Sequence, residues 1–466
     1  LLCAGAICHA QPVSPLPFVP ASPLPEVEPV SNQFAVAVDG TGVPVFLARI
    51  AAMSAEKRLH LGLPVAAGTS LTSFTSFDVS KPATISVTCG EDVKSATLLP
   101  AGSGITAQIS GRQVTFTISQ PAQLTLEING NWVNSLHLFA NAPESDIPNL
   151  DDPNVIYFGP GVHVVQTVEA KSGQTIYLAP GAVLYGTPDA PGATVHKRAI
   201  ILLDGNNVTL RGRGIIDGSQ CPRGAKSLVA VFGTNIRIEG VTLRDAGDWN
   251  LPVRRSSQVQ ISNVKVFGWR GNSDGMDICN CSDVAITDCF LRTFDDLIVL
   301  KTDKGQGDEA GITVSRCVLW NEFAHALSLG AELREPVSDV TFSDCDIIHD
   351  KGREWLLRVY DCDSGFVKNV TFKNIRIAEA RRLMSVWIGK AVWSKETERG
   401  HIQNVTFENI DAAGPERPDP MADLVGFDAQ HLVDGVQFRN VRVAGRPLGL
   451  NDIRQNPFDR AVTVSP

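Results

Sequence analysis

The chain has 466 residues, room for two or three domains at ~150 residues each. Apolar residues make up 43% and charged residues 20%, a globular composition rather than a disordered one. The net charge of −9 argues against a nucleic-acid or anionic-membrane partner, which needs a concentrated basic face, and no uncharged apolar run reaches the ~20 residues of a membrane span.

The first ten residues, Leu1 to Ala10, read as the tail of an apolar segment ending in small residues. They resemble the remnant of a secretory signal with cleavage near Ala10, so a secreted or periplasmic protein is expected. Seven prolines between Pro12 and Pro29 make residues 11–31 an extended linker. Residues 32–142 alternate in short stretches, Phe34–Val38, Thr84–Thr88, Val114–Ile118, Leu124–Ile128 and Leu136–Phe139. Turns such as Asp39-Gly40, Ser110-Gly111 and Asn129-Gly130 separate them, which predicts a small antiparallel β-sandwich. The polar segment 141–154 marks a boundary, and the second domain is expected over 146–466, its first coils within 155–185.

From residue 236 on, one pattern recurs: V-x-[I/F]-x-[N/D]-[V/I/C]-x-[V/I/L]. It stands at Ile236–Leu243, Val259–Val266, Val284–Leu291, Ile312–Leu319, Val340–Ile347, Val370–Ile377, Val405–Ala412 and Val436–Val443. Its sixth position recurs after 23, 25, 28, 28, 30, 35 and 31 residues. Each unit alternates in period two, breaks at Asn, Asp or Gly, then alternates again. A chain that turns and returns every ~20–35 residues stacks its strands in parallel. That predicts an all-β chain whose main domain is a right-handed parallel β-helix. Cys289, Cys317 and Cys345 share one phase of the repeat, which makes them stacked core thiols rather than bridged pairs. Cys279-Asn280-Cys281 has no Cys/His partner at zinc-like spacing, so no metal site is expected. The Asn-x-Thr sequons at Asn207, Asn369 and Asn404 fall in repeat strands, poor places for a glycan.

Two acidic clusters break the apolar rule of the repeat: Asn272-Ser273-Asp274-Gly275-Met276-Asp277, and Phe294-Asp295-Asp296 followed by the run Leu297 to Lys301. Asp274 and Asp295 are 21 residues apart, close to one coil, which puts them on neighbouring rungs of one face. Carboxylates that close push their pKa values apart, the arrangement an acid/base glycosidase needs. Polar bends or a calcium site are the alternatives for the same residues. One coil on stands Ala324-His325-Ala326, and the next offers Leu357-Arg358-Val359-Tyr360. Six of the seven tryptophans lie between 249 and 393, and Trp249 and Trp269 flank the first acidic cluster. Aromatic faces stack on sugar rings, so those two are candidate sugar contacts.

Together these segments resemble the polygalacturonase family, glycoside hydrolase family 28, whose signatures N-T-D, D-D, G-H-G and R-I-K follow in that order. They stand here as Asn272-Ser273-Asp274, Asp295-Asp296, Ala324-His325-Ala326 and Arg358-Val359-Tyr360. The resemblance implies the pectin-lyase-like β-helix. It also implies Asp295 as general acid, Asp274 with Asp296 activating water, His325 supporting the acid, and inversion at the anomeric carbon. Asn272, Lys301, Arg358 and Tyr360 are then candidate substrate contacts. Three departures stand out: Ser273 for Thr, alanines around His325 for both glycines, and Tyr360 for the lysine that faces a galacturonate carboxylate. The sandwich resembles the accessory domain of the sister dextranase family, glycoside hydrolase family 49. A polysaccharide substrate, no cofactor and a monomer are therefore expected. A dextranase-like hydrolase of neutral α-glucans, a calcium-dependent β-eliminase and a silent carbohydrate-binding β-helix are the competing readings.

Overall fold

Period-two alternation buries every second side chain of a strand, and that alternation runs through almost the whole described chain. The computed structural model describes residues 28, 30–52, 69–188, 198–415 and 420–466. The expected leader over residues 1–10, and all but the end of the 11–31 linker, lie outside the described residues. Contacts divide the chain into two units, Leu1–Ala48 with Leu71–Asn149, and Arg49–Ser70 with Leu150–Pro466.

The first unit is built on two five-stranded sheets. One holds Phe34–Val38, Ala83–Cys89 and Gln113–Ile118 at its centre, all antiparallel. The other includes Thr69–Asp78, Asn131–Asn141 and Ala122–Ile128. Val36, Val87 and Phe116 of the first sheet share one core with Leu124, Leu126 and Leu138 of the second. This is a β-sandwich with one departure from the antiparallel expectation: Asn131–Asn141 runs parallel to Thr69–Asp78, Leu136 opposite Ser73.

The second unit is a single 31-stranded sheet wound into a parallel β-helix. Its first rungs pair Val155–Phe158 with Thr175–Leu178, Ile156 opposite Ile176. The middle coils carry three strands, for example Met276–Cys279, Ser282–Thr287 and Phe290–Thr293, and later coils fuse the second and third, as in Phe366–Ile377. The next coil repeats them as Ile298–Thr302, Glu309–Ser315 and Val318–Asn321, in register Ile278 to Leu300, Ile286 to Val314 and Leu291 to Leu319. The sixth-position residues of the repeat form an inward ladder in which Cys289, Cys317 and Cys345 are fully buried. Each thiol donates to a carbonyl two residues back, those of Thr287, Ser315 and Ser343.

The third position forms a second ladder, where Phe342, Phe372, Phe407 and Phe438 stack with centroids 4.9–5.2 Å apart. The coil turns between strands where one residue takes a left-handed backbone: Asn263, Asp288, Arg316, Asp344, Asn374, Asn409 and Asn440 at one corner. Asn and Asp visit that region more readily than other L-residues. The corner amides also bond rung to rung, Asn409 Nδ2 to Asn374 Oδ1 at 2.9 Å and Asn440 Nδ2 to Asn409 Oδ1 at 2.8 Å. Asn369 and Asn404 of two sequons form such a ladder at another corner, Asn404 Nδ2 donating to Asn369 Oδ1.

Candidate active site

The first strand of each coil buries Ile298, Leu300, Leu327 and Leu329 inward in the core. The intervening positions face outward. Register aligns one outward row through Asp277, Val299, Ser328, Arg358, Ser385 and Asp423. A second aligns Cys279 with Lys301, and Tyr360 with Trp387. The bends leading into these strands carry Asp274, the Asp295-Asp296 pair and His325. Strand alternation would send Asp295 and Asp296 to opposite faces. They share one because the chain bends there, between Phe290–Thr293 and Ile298–Thr302. Gly275 makes the approach of the two coils possible, since a Cβ there would meet the Leu297 carbonyl at 2.3 Å. Its N–H donates to the Asp296 carbonyl at 2.7 Å.

One oxygen each of Asp274, Asp295 and Asp296 lie within 4.8 Å of one another. Such spacing would also admit a cation, but Lys301 Nζ already stands at the cluster, 3.0 Å from Asp274 and 2.6 Å from Asp277. Asp274 is buried, and its Oδ1 has no hydrogen-bond partner among the described residues. Asp295 accepts the backbone N–H of Asn272 at 3.0 Å and that of Asp296 at 3.2 Å. Burial, then the Asp274 charge, push the Asp295 carboxyl up to about 6. Burial pushes Asp296 up to about 7, with the Arg358 charge opposing and Asp274 and Asp295 adding. The Asp277 carboxyl is raised well above the usual range by burial and by Asp274. Burial works against the Lys301 ammonium, yet the Asp274, Asp277 and Asp296 charges hold it well above its usual value. Burial and the Arg358 and Lys301 charges hold His325 well below its ordinary value, so it is a neutral imidazole. Its Nδ1 lies 3.9 Å from Asp296 and has no hydrogen-bond partner among the described residues.

Asp274, Asp295, Asp296 and His325 line a cavity of about 560 Å³ with Trp249, Asn272, Lys301, Arg358 and Tyr360. Of the candidates named from sequence, Trp269 alone is not among its lining residues; its indole N–H donates to Asp245 instead. Lys301 serves first as the partner of Asp274 and Asp277, and its ammonium sits 4.1 Å from the centre of the Trp249 ring. Asn272 presents its side-chain oxygen to Arg223 at 2.9 Å. Sequence reasoning missed Trp355, Trp387 and Trp393 as lining residues. Ser385-Val386-Trp387 sits one rung after Arg358-Val359-Tyr360, and that spacing was the available signal. Trp320 is fully buried outside the helix interior, its ring 3.6 Å from the Arg292 guanidinium. A second cavity of about 740 Å³ shares Trp249 and Asn272 and is lined by Arg198, Arg254, Arg255, Asp248 and Asp303.

The model of glycosyl hydrolases family 28 matches residues 196–452, which hold both acidic clusters and the helix coils around them. A probable polygalacturonase of Vitis vinifera is 22% identical over 161 residues, 31% of this chain and 32% of that protein. An exopolygalacturonase of Zea mays is 24% identical over 184 residues, 35% of this chain and 43% of that protein. The matches thus span about a third to two-fifths of the curated relatives' length. Among solved structures, Dex49A from Penicillium minioluteum superposes with TM-score 0.65 at 13% identity, over 98% of this chain and 99% of that one. A hyperthermoactive exopolygalacturonase from Thermotoga maritima gives 0.54 at 16% identity, over 67% of this chain and 84% of that one. These two share the fold. With the family model covering more than half of its length, the chain belongs to glycosyl hydrolases family 28.

Proposed function

We propose that the protein hydrolyses O-glycosidic bonds of a polysaccharide by acid/base chemistry at the aspartate cluster, with the helix as catalytic domain and the sandwich as accessory domain. One observation carries this reading: three carboxylates converge within 4.8 Å on the wall of an open, tryptophan-lined cavity. Asp295 is the general acid. It is the more exposed member of the adjacent pair, and burial holds its proton to about pH 6. Asp274, ion-paired with Lys301, accepts the proton of the attacking water on its unpartnered Oδ1, and Asp296, which holds its own proton to about pH 7, positions that water. Neutral His325 stands 3.9 Å from Asp296 at the same wall, its Nδ1 open to substrate or water.

Inversion is implied by the family, whereas the generic rule puts inverting carboxylates ~6.5–9.5 Å apart and retaining ones ~5–5.5 Å. The three-carboxylate arrangement favours inversion here, because two groups besides the acid remain to hold water. The test combines two measurements. Asp295→Asn should lose ~10²–10⁴-fold in kcat on polysaccharide, as for removal of a general acid. The loss should shrink on a nitrophenyl glycoside, whose leaving group needs no proton. If Asp296→Asn has that leaving-group dependence and Asp295→Asn does not, the acid is Asp296. NMR of the first-formed anomer reads the stereochemistry, and a retained configuration overturns inversion. The neutral-glucan reading is favoured by one feature, Tyr360 in place of a cation.

A further inference from the structure

We infer that the catalytic cavity takes an uncharged sugar, a neutral or esterified unit, on an aromatic platform formed by Tyr360 and Trp387. This rests on the hydrolase reading above and narrows its substrate class. Tyr360 and Trp387 are register partners on neighbouring rungs, and their rings stack 4.6 Å apart at 10°. Trp355 and Trp393 line the same cavity, and Trp393 is 58% exposed beside Val392 at 85%, an apolar tip left open among the described residues. Tyr360 is itself buried, with the Arg358 guanidinium 4.8 Å from its ring centre, so it backs the partly exposed Trp387, and Trp387 with the exposed Trp393 at the lip offers ring surface to the C–H faces of a pyranose.

Charge argues the same way. Six carboxylates line this cavity, Asp274, Asp295, Asp296, Glu332, Glu354 and Asp423, against three cations, Lys301, Arg353 and Arg358. Each of the three is already matched. Lys301 pairs with Asp274 and Asp277, and Arg353 with Glu354 at 2.8 Å. Arg358 donates to Ser328 Oγ at 3.1 Å and to the Gly330 carbonyl, and its charge faces Asp296. Asp423 is in turn paired with Arg454 and Glu332 with Arg334, and Asp295 and Asp296 hold their protons up to about pH 6 and 7. It is above that range that a sugar carboxylate brought here would meet unpaired negative charge and no lining cation without an acidic neighbour. Like charges across an interface disfavour the wrong partner, so the balance discriminates against a polyanion.

Binding is measured apart from hydrolysis, by tryptophan fluorescence titration of the full chain with three probes. These are de-esterified polygalacturonate, the same backbone highly methyl-esterified, and dextran. At least one uncharged glycan should bind about tenfold more tightly than the polyanion, a difference worth about 1.4 kcal/mol. Tyr360→Lys should lower that ratio by strengthening polygalacturonate binding. Trp387→Ala should weaken the uncharged glycan about tenfold, and Trp393→Ala, at an exposed position, should weaken it without lowering the melting temperature. Tighter binding of de-esterified polygalacturonate, weakening with added salt, overturns the inference. So does failure of both uncharged glycans to bind, or an unchanged ratio in a folded Tyr360→Lys variant. Reducing-sugar release on the same probes is scored separately. Uncharged-glycan binding without release from any probe counts against the hydrolase reading and leaves this one standing.

Discussion

On the proposed assignment of Asp295 as general acid, Asp295 and Asp296 set the pH behaviour of the molecule twice over, once in catalysis and once in stability. For catalysis the acid must hold its proton, so activity should fall as pH rises past about 6. For stability the sign runs the same way. A carboxyl whose folded pKa lies above its unfolded value of ~3.9 binds more protons when folded, so its contribution is fully present below pH ~4. It is lost as pH climbs through the folded values of about 6 for Asp295 and about 7 for Asp296. Asp296→Asn keeps the shape and removes the buried charge. The variant is expected to be inactive yet more stable than the parent at pH 7.5, by on the order of 1–3 kcal/mol, with no advantage near pH 4. Urea unfolding at the two pH values checks it, and a less stable variant at pH 7.5 would show that contacts of Asp296, not its desolvation, dominate. The carboxylates themselves were legible in the sequence because they interrupt an apolar period. Asp277 was not assigned a role: its importance comes from Lys301, which lies 24 residues on and reaches back across one rung.

At the scale of the coil, legibility followed from stacking. A parallel helix puts chemically equivalent positions on top of one another, so Cys289, Cys317 and Cys345 repeat in phase because they occupy one ladder. The aromatic platform was harder to read. Tyr360 and Trp387 point outward, where no core selects a repeating residue type, and only their register brings them together. The sandwich hid strands for a different reason. Thr69–Asp78 is rich in Ser and Thr, so it shows no apolar alternation, yet most of it is buried and bonded, Thr72 Oγ1 to the Ser135 carbonyl at 2.8 Å. The thiol ladder makes its own prediction. Eight described cysteines, the three of the ladder among them, are free and buried. Thiol titration of denatured, unreduced protein should therefore find at least eight reactive thiols per chain. Mass mapping that finds Cys289, Cys317 or Cys345 in a disulfide would refute the ladder.

At the scale of the whole molecule, the two largest hydrophobic cores among the described residues carry the fold. One runs unbroken along the helix from Ala170 to Ile453, and the other closes the sandwich. In a stacked array each coil contacts its neighbours, so stability is a sum of coil and nearest-neighbour terms, and a gap in one ladder is felt along the array. Phe407 is the place to make that gap. It is fully buried, stacked 4.9 Å from Phe372 and 5.2 Å from Phe438 at nearly parallel planes. Phe407→Ala removes both stacks and leaves a cavity that parallel backbones, hydrogen-bonded on either side, cannot close. The expected loss is ~3–5 kcal/mol, as for other buried Phe→Ala changes. Because none of the sandwich core residues belongs to the helix core, calorimetry should resolve two transitions and the substitution should lower only one. The catalytic cluster lies several coils before Phe407, so the carboxylate geometry should persist below the lowered transition, and kcat at 25 °C should stay within about twofold of the parent. A single transition that shifts as a unit would mean that the two cores unfold together, and the helix could then no longer be treated as a cooperative array of its own.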